Sequence, residues 1–500
     1  MSPERLKSGI ADDIRNYYLI PQSARVNPRI FQALIQINKA HIVMLEERGI
    51  ISSHVALTIL NVLNEIEELG PDKFKVDYAV GDLYMNMESY VIEKTGDDVG
   101  GRMHTGRSRN DLYQTALHFT LTRTLIEVLD DLLNLRRSLV TIAESHVETI
   151  MPGYTHTQHA QPITFGHYVL AVFDGLTRDF DRLSNSYDRI NRNPLGAAAI
   201  AGTGFQVDRN RTADLLGFEG LLENTLDAVS EKDDVLEVLS DLAIMATTLS
   251  RLANDLVYWS SEEFGMIELA DRYCTSSSIM PQKKNPWGAE LLRAYSGLVI
   301  GDLMKALTIL KGVPIGFNMD IWVILENVLW DAVDISVGMI RILRGILQSL
   351  KVNRDIMQTL APRGFSTTTE LVDVIVRKKQ IAFRTAHRIV GLLVRGVIEK
   401  GLLSSDITEE LLDKSAVEIM GSPIGLATDE IQGALNVRTN VEMRNTIGGP
   451  APNEVRRMIA YRKDALAKNE KSLQERKDNI GLATRKLEAA METLSKKAPV

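Results

Sequence analysis

Apolar residues recur at helical spacing along most of the chain, and two of the stripes are long. Both alternate steps of three and four residues, the spacing that keeps apolar side chains on one face of an α-helix. Each stripe covers roughly three heptads, so each helix would exceed about 30 Å at 1.5 Å per residue. The stripes run through Leu121, Leu125, Val128, Leu132, Leu135, Leu139 and Ile142, and through Val235, Val238, Leu242, Met245, Leu249, Leu252 and Leu256.

This pattern predicts an all-α fold in which long helices pack as a bundle. A helix of this length cannot bury its stripe alone. Several such helices, rich in Leu, Val and Met, favour a bundle that is built between subunits. No strand-rich region, low-complexity segment or tandem repeat stands out in the sequence.

The helical spacing divides the chain into three zones. We predict an N-terminal helical domain over residues 1–112, a central long-helix bundle domain over 113–360 and a C-terminal helical domain over 361–500. The charged tail from Lys463 to Lys497 is expected to be a solvated helix, because charge runs usually mark an exposed face.

The composition of the chain limits which binding partners and which cellular compartment are expected. Lys and Arg number 57 against 65 acids, a formal net charge of −8, which disfavours a nucleic-acid or anionic-membrane partner. The single cysteine, Cys274, excludes an intrachain disulfide, as expected in a reducing cytoplasm. The chain shows neither an apolar signal core near its start nor a run of 18 apolar residues. We therefore predict a cytoplasmic protein.

The most informative stretch is the polar segment 275–286, Thr-Ser-Ser-Ser-Ile-Met-Pro-Gln-Lys-Lys-Asn-Pro. Pro281 and Pro286 prevent regular helix here. A polar loop between long helices is a candidate site of chemistry, since rigid helices can hold it over a cleft. The alternative is a disordered polar linker. Cys274 beside the loop is disfavoured as a nucleophile because no His or Asp motif accompanies it.

Two further polar segments flank the first long helix. Residues 101–111, GRMHTGRSRND, come directly before it, so free backbone N–H groups together with Arg109 and Asn110 can hold a carboxylate. The alternative is a capped helix start with solvated arginines. Residues 151–162, MPGYTHTQHAQP, carry His156 and His159, but no Cys or acid nearby completes a metal ligand set. We predict no metal there and favour a hydrogen-bonding histidine.

Together these segments resemble the fumarase/aspartase superfamily, and within it the argininosuccinate lyase family. The resemblance rests on HTGRSRND at 104–111, on MPGYTH-x-Q-x-AQP at 151–162 and on SS-x-MPQKKNP at 277–286, and it extends over nearly the whole chain. It implies three helical domains, with a central five-helix bundle that forms a twenty-helix core in a homotetramer. It also implies active sites shared between three subunits.

The resemblance further implies a reaction without cofactor. A small dicarboxylate, an N-substituted aspartate, would lose a Cβ proton, pass through an aci-carboxylate and release fumarate. Ser277 matches the family's base, an assignment that is chemically sound only if cations and amide donors favour the ionised serine. Lys283 and Asn285 match residues that bind the carboxylate whose charge grows in the transition state.

The resemblance assigns the remaining roles to residues on other segments. Four residues match those that hold the succinyl carboxylates: Ser108, Arg109, Asn110 and Thr155. His156 matches a histidine paired with a glutamate, here Glu290, for orientation or proton relay. The proton donor to the leaving nitrogen stays open.

Several positions depart from the family pattern. Ser276 stands where the family has glycine, so the choice of Ser277 over Ser276 or Ser278 rests on alignment to the lysine and asparagine that follow. Near the N-terminus Ser23 keeps a family serine, whereas Asn27 replaces an aspartate. The segment 311–325 departs most: family Tyr, Arg, Gln and Lys are here Phe317, Met319, Trp322 and Leu325.

We interpret this as an intact fumarate half and a rebuilt amine half of the site, with Ser23 and Phe317 still on the substrate-binding side. A pocket made for a polar amino acid loses its selectivity when its hydrogen-bonding groups are exchanged. The sequence therefore favours an N-substituted aspartate other than argininosuccinate, such as an aminopolycarboxylate of the ethylenediamine-disuccinate kind. Argininosuccinate lyase is the alternative enzyme, and a catalytically silent structural homologue, like the lens crystallins, is the alternative class.

Overall fold

The computed structural model describes residues 9–497, and the predicted all-α fold is confirmed. The outermost residues of the two predicted end domains, 1–8 and 498–500, lie outside this range. In the N-terminal part the α-helices are Asp12–Ile14, Ile20–Glu47, Ser53–Lys73, Leu83–Thr95 and Asp97–Gly100. Short π segments cover Arg15–Leu19 and Asp320–Ile324, and 3-10 turns cover Gly101–His104, Asp271–Tyr273, Arg363–Phe365 and Ser404–Asp406.

A bundle of long helices forms the middle of the molecule. Its α-helices are Arg109–Ser145, Phe165–Ile190, Asp233–Trp259, Trp287–Leu310 and Leu325–Gln348, with the shorter Arg209–Leu216 and Asp227–Ser230 between them. Both predicted apolar stripes are buried within this single chain, and only Ile142 at the end of the first is half-buried. The burial of these stripes therefore needs no second subunit.

The C-terminal part contains a separate small core and one very long helix. The helices are Arg354–Leu360, Thr368–Lys379, Phe383–Glu399, Glu409–Met420, Thr428–Leu435, Val437–Glu442 and Pro452–Lys497. Buried apolar residues between Leu371 and Leu435 form a cluster of their own. The three-domain division itself stays a prediction.

The expected helix over residues 463–497 is present and most of its positions are exposed or half-buried, but one narrow face is buried instead of solvated. This stretch belongs to the Pro452–Lys497 helix, whose Leu466, Leu473, Leu487 and Leu494 are buried in the main core, with Ile480 packed against it. These five residues recur every seven positions, so they form one apolar stripe under a charged outer surface. The helix therefore packs along the central bundle.

Within residues 9–497, six short strands pair into three two-stranded ribbons, which the sequence did not reveal. Ile150–Thr155 pairs with Gln158–Thr164, Ile267–Glu268 with Lys351–Val352, and Thr275–Ser276 with Lys284–Asn285, all antiparallel. The first and third of these ribbons present the second and third polar segments. No helix within residues 9–497 combines the length and apolarity needed to cross a membrane.

Candidate active site

Ser108 begins the longest bundle helix and fixes the segment before it. It is the N-cap of Arg109–Ser145: its Oγ accepts from the backbone N–H of Asn110 at 3.3 Å, and its own N–H donates to Asp111 at 2.9 Å. Such a reciprocal capping box satisfies backbone donors that a helix start leaves free. Arg109 and Asn110 thereby lie in the first helical turn, as predicted.

Asp111 joins this helix start to a second loop. Its other oxygen accepts from the backbone N–H groups of Gly196 and Ala198, each at 2.9 Å. Burial raises the pKa of Asp111 to about 6, although all three backbone donors lower it. The carboxylate is therefore ionised at neutral pH, and one buried charge holds two segments together.

A buried polar network supports the same segment from below. Arg107 donates to the side chain of Asn38 and, at 3.2 Å, to the hydroxyl of Tyr84. The Tyr84 hydroxyl lies 2.7 Å from Nδ1 of His104. Burial, with the nearby Arg107 and Arg109, lowers the pKa of His104 to about 3, so this ring is neutral. The network thus buries Arg107, whereas Arg109, two residues further on, is exposed.

The second polar segment forms a tight hairpin turn. His156 and Thr157 occupy its two central positions, both with positive φ of 53° and 58°, between the paired Thr155 and Gln158. Positive φ at both positions is the type I′ pattern, for which Asn-Gly is preferred. A β-branched residue there carries backbone strain of about 1–3 kcal/mol, a feature common at functional sites.

This turn is presented outward by its strands. Thr155 and His156 are both exposed in the single chain. Gly153 lets the strands approach closely, because a Cβ there would lie 2.5 Å from the carbonyl oxygen of Gln161. His159 is held at the ribbon instead, with Nδ1 3.1 Å from the carbonyl oxygen of Arg363.

The third polar segment is a flap on a short two-stranded stem. Thr275 pairs with Asn285 and Ser276 with Lys284 across the stem. Lys284 also bonds Glu268 at 3.0 Å and Asp271 at 2.7 Å, which ties the stem to the bundle. We call residues 277–283 at its tip the serine flap. Its apolar Ile279 is 83% exposed, so the flap lies open in this chain.

Ser277 differs from the serines beside it in its contacts with the backbone. Its Oγ accepts from the backbone N–H of Met280 at 3.0 Å and of Ile279 at 3.3 Å. Donors to the oxygen favour an alkoxide over a hydroxyl, because they stabilise the charged form. Ser276 and Ser278 are exposed, and neither accepts such bonds among the described residues. The geometry therefore distinguishes Ser277 within the run.

The remaining predicted catalytic residues lie close to the flap. Lys283 is exposed at its end and Asn285 is half-buried in the stem. Glu290 is exposed in the first turn of the Trp287–Leu310 helix. Within the described part of the chain no hydrogen bond or ion pair joins Glu290 to His156, so their predicted pairing is absent in one chain.

A cavity of about 450 Å³ lies where the N-terminal helices meet the start of the Leu325–Gln348 helix. We call it the amine cavity. Its wall is mostly apolar, and it includes Ser23 and Arg109 of the predicted substrate-binding set. Phe317 reaches it indirectly, with its ring 6.0 Å from the ring of Trp322. Its other lining residues of interest are Asn27, Asp82, Met319, Trp322 and Glu326.

Behind the amine cavity lies a buried polar cluster that the sequence reading missed. Lys232 donates to the side-chain oxygen of Gln114, and His118 Nε2 lies 2.8 Å from Asp234. All four side chains are largely shielded from solvent, and Lys232 also interacts electrostatically with Glu326. The paired members of this cluster stand far apart in the chain, so no motif in the sequence points to it.

The chain thus gathers part of the predicted site and leaves the rest apart. Ser23 and Arg109 line one cavity, and Ser108 and Asn110 belong to the same helix start. Among residues 9–497 no hydrogen bond or ion pair links the hairpin turn or the serine flap to that cavity. No group of His, Cys, Asp or Glu in this range has the arrangement of a metal site.

Two family models match the chain. One described as Lyase covers residues 14–301, and one described as Argininosuccinate lyase C-terminal covers residues 365–442. The chain is 42% identical to argininosuccinate lyase of Methanosarcina mazei over 98% of both chains. It is also 42% identical to that of Methanocaldococcus jannaschii, over 95% of this chain and 96% of the relative. This chain belongs to the argininosuccinate lyase family.

Solved structures agree with this family assignment. EDDS lyase in complex with formate matches with a TM-score of 0.88 and 32% identity, over 97% of this chain and 96% of that one. Class II fumarase from Schistosoma mansoni, at 18% identity and a TM-score of 0.69, shares the fold. The predictions of a superfamily member and of a carbon–nitrogen lyase are confirmed.

Proposed function

We propose that this protein eliminates fumarate from argininosuccinate and releases arginine. The observation that carries the proposal is the identity of 42% to argininosuccinate lyases along almost the entire chain. The lower identity to EDDS lyase, 32%, gives less support to an aminopolycarboxylate. Argininosuccinate, the alternative in the sequence reading, therefore takes precedence over the substrate that the sequence reading favoured.

In the proposed mechanism Ser277 removes the Cβ proton. Its Oγ already accepts two backbone N–H bonds, which lower the cost of carrying negative charge there. Lys283 and Asn285, which flank the far end of the flap, would hold the carboxylate as its charge doubles. Fixed donors aimed at developing charge supply a large share of such rate enhancement.

The substrate's other carboxylate, whose charge does not grow in the transition state, would be held by the helix start and the hairpin turn. Ser108, Arg109 and Asn110 lie together at one helix N-terminus, where an anion is stabilised. Thr155 and His156 would join them from another subunit, with Glu290 orienting His156. Their outward position in the single chain is compatible with such sharing.

A second candidate substrate is an aminopolycarboxylate such as ethylenediamine-disuccinate. Its support is the composition of the amine cavity, where Met319 and Trp322 stand in a segment that carries polar groups in the family. Trp322 packs its ring 4.8 Å from that of Tyr113, so this wall is built from apolar surface. An apolar wall offers fewer hydrogen bonds to the zwitterionic end of arginine than polar groups would, so it gives less selectivity for that amine.

Fumarate release, followed by its ultraviolet absorbance, separates the two substrates. The purified protein should turn over argininosuccinate with a kcat/KM at least about tenfold above that for ethylenediamine-disuccinate, since hydrogen-bonded selectivity of this size is common. The reverse order would favour the aminopolycarboxylate. Release of fumarate from neither substrate, nor from other N-substituted aspartates, would support the silent structural homologue.

A further inference from the structure

The amine cavity has a charged floor that its apolar wall does not explain. Glu326 lines the cavity although its residue is only 4% exposed, and it lies one helical turn beyond Trp322. Asp82 is the other carboxylate on the lining. Both Asp82 oxygens are engaged: one accepts from Arg109 at 2.6 Å and the other caps the backbone N–H of Met85 at 2.9 Å. Glu326 is therefore the carboxylate left to meet a ligand.

The cluster behind the floor supplies only part of the charge that Glu326 needs. Lys232, which is 3% exposed, is the nearest cation, but it donates to Gln114 and also balances Asp234. Asp234 is also paired with His118, whereas among the described residues no ion pair joins Lys232 directly to Glu326. A buried carboxylate without a full partner is costly, and a second cation beside it would stabilise the ionised form.

The titration behaviour of the floor agrees with this charge deficit. Burial raises the pKa of Glu326, and the attraction of Lys232 does not compensate for it. Burial likewise lowers the pKa of Lys232. Burial disfavours each charged form and is the largest cause of both shifts, so the attraction between the two groups does not offset their desolvation.

We propose that Glu326 is a specificity-determining residue that binds a cationic nitrogen at the far end of the departing amine. This inference rests on the proposed elimination, because the amine cavity then holds the amine half of the substrate, with Arg109 at one end and Glu326 at the other. It defines a substrate class: amines that carry a second positive charge, such as an amino acid or a diamine. The apolar wall between the two ends accommodates the connecting carbons.

Two N-substituted aspartates of equal size test the inference with the wild-type protein. N-(2-aminoethyl)aspartate ends in an ammonium group, and N-propylaspartate ends in a methyl group at the same position. The cationic substrate should be cleaved with a kcat/KM at least about tenfold higher, as expected for a charged hydrogen bond in a buried pocket. Equal rates, or a preference for the propyl compound, would overturn the inference.

Glu326→Gln should remove this preference by raising KM for the aminoethyl substrate while the propyl substrate keeps its kinetic constants. Glu370→Gln is the matched control, because Glu370 is equally buried but lies in the separate C-terminal core, paired with Arg377 and Arg444. A preference that survives in Glu326→Gln would contradict the assignment. If that variant does not fold, the wild-type comparison still decides.

Calorimetry separates failure of this inference from failure of the proposed reaction. Ethylenediamine and propylamine are titrated into the wild-type protein in the presence of fumarate, and the diamine should bind at least about tenfold more tightly. Tight diamine binding without fumarate release from any substrate would leave the pocket assignment standing and defeat the elimination. Fumarate release together with equal binding of both amines would leave the elimination standing and defeat the pocket assignment.

Discussion

At the scale of single residues, the argument for chemistry depends on the oxygen of Ser277. Three consecutive serines offer the same functional group, and the chain treats them differently: only Ser277 among Ser276, Ser277 and Ser278 accepts backbone donors in the described structure. A hydroxyl can act as a base when its surroundings stabilise the ionised form, and here two backbone N–H groups donate to it.

Ser277→Ala should therefore lower kcat by at least about a hundredfold, since a general base contributes about 10²- to 10⁴-fold. Substrate affinity and thermal stability should stay near wild type, because the side chain is only half-buried on an open flap. Steady-state fumarate release and a thermal melt measure the two effects. Ser276→Ala and Ser278→Ala serve as controls, and a large loss of kcat in either would reassign the base.

The roles of the individual site residues stay predictions, which the sequence could make only where the residues are neighbours in the chain. Ser277, Lys283 and Asn285 were found because they stand close together in one short polar segment. The cluster of Lys232, Gln114, His118 and Glu326 was not found, because its members come from three distant helices and meet only through packing. Interactions between distant segments leave no spacing in the sequence to detect.

At the scale of elements, the start of the Arg109–Ser145 helix matters most, because it positions three predicted carboxylate ligands. Asp111 holds this start: one oxygen completes the capping box and the other binds the loop at Gly196 and Ala198. Removing a buried acceptor leaves its donors unsatisfied, which costs more than the net worth of the bonds.

Asp111→Asn should destabilise the fold by about 1–3 kcal/mol, because the amide nitrogen cannot accept from the donors that one carboxylate oxygen now satisfies. It should also raise KM, since Arg109 and Asn110 lose their fixed position. Urea denaturation and fumarate kinetics measure both effects. Glu409→Gln, in the exposed first turn of another helix, provides the control. Unchanged stability in Asp111→Asn would contradict the anchoring role.

Elements were predicted well where apolar spacing was regular and poorly where charge concealed it. The two long stripes predicted bundle helices correctly because apolar residues occupy the three-and-four repeat without a break over about three heptads. The Pro452–Lys497 helix was misjudged, since its seven-residue stripe is narrow and its remaining positions are charged. The Ile150–Thr164 hairpin escaped because its turn uses His156 and Thr157 instead of the residues that usually mark such turns.

At the scale of the whole molecule, apolar residues remain exposed on the central bundle. Leu298, Met304 and Leu307 of the Trp287–Leu310 helix are 52%, 57% and 42% exposed, and Ile244 on the neighbouring helix is 44% exposed. Several large apolar residues exposed on two packed helices are the pattern expected of an interface. It supports the predicted homotetramer, in which these positions, instead of the already buried stripes, would form the shared core.

Mixing two inactive variants tests whether sites are shared between subunits. Ser277→Ala and Arg109→Ala are each expected to be inactive alone, and they are unfolded and refolded together at equal amounts. If the two residues of one site come from different chains, about a quarter of the sites should contain both intact residues, with activity to match. Mixing without joint refolding is the control. No recovery would place both residues of a site in one chain.

Lys283 and Lys284 are neighbours, but only Lys284 is held in ion pairs, and this difference affects the response to ionic strength. Lys284 is occupied by Glu268 and Asp271 at the partly open foot of the flap, whereas Lys283 stays available for a dianion. Such attractions between exposed charges weaken as salt rises, because mobile ions screen them with a screening length of about 10 Å at 0.1 M. Added salt should therefore weaken both the ion pairs that hold the stem of the serine flap and the binding of a dianion by Lys283. The buried bundle should change little.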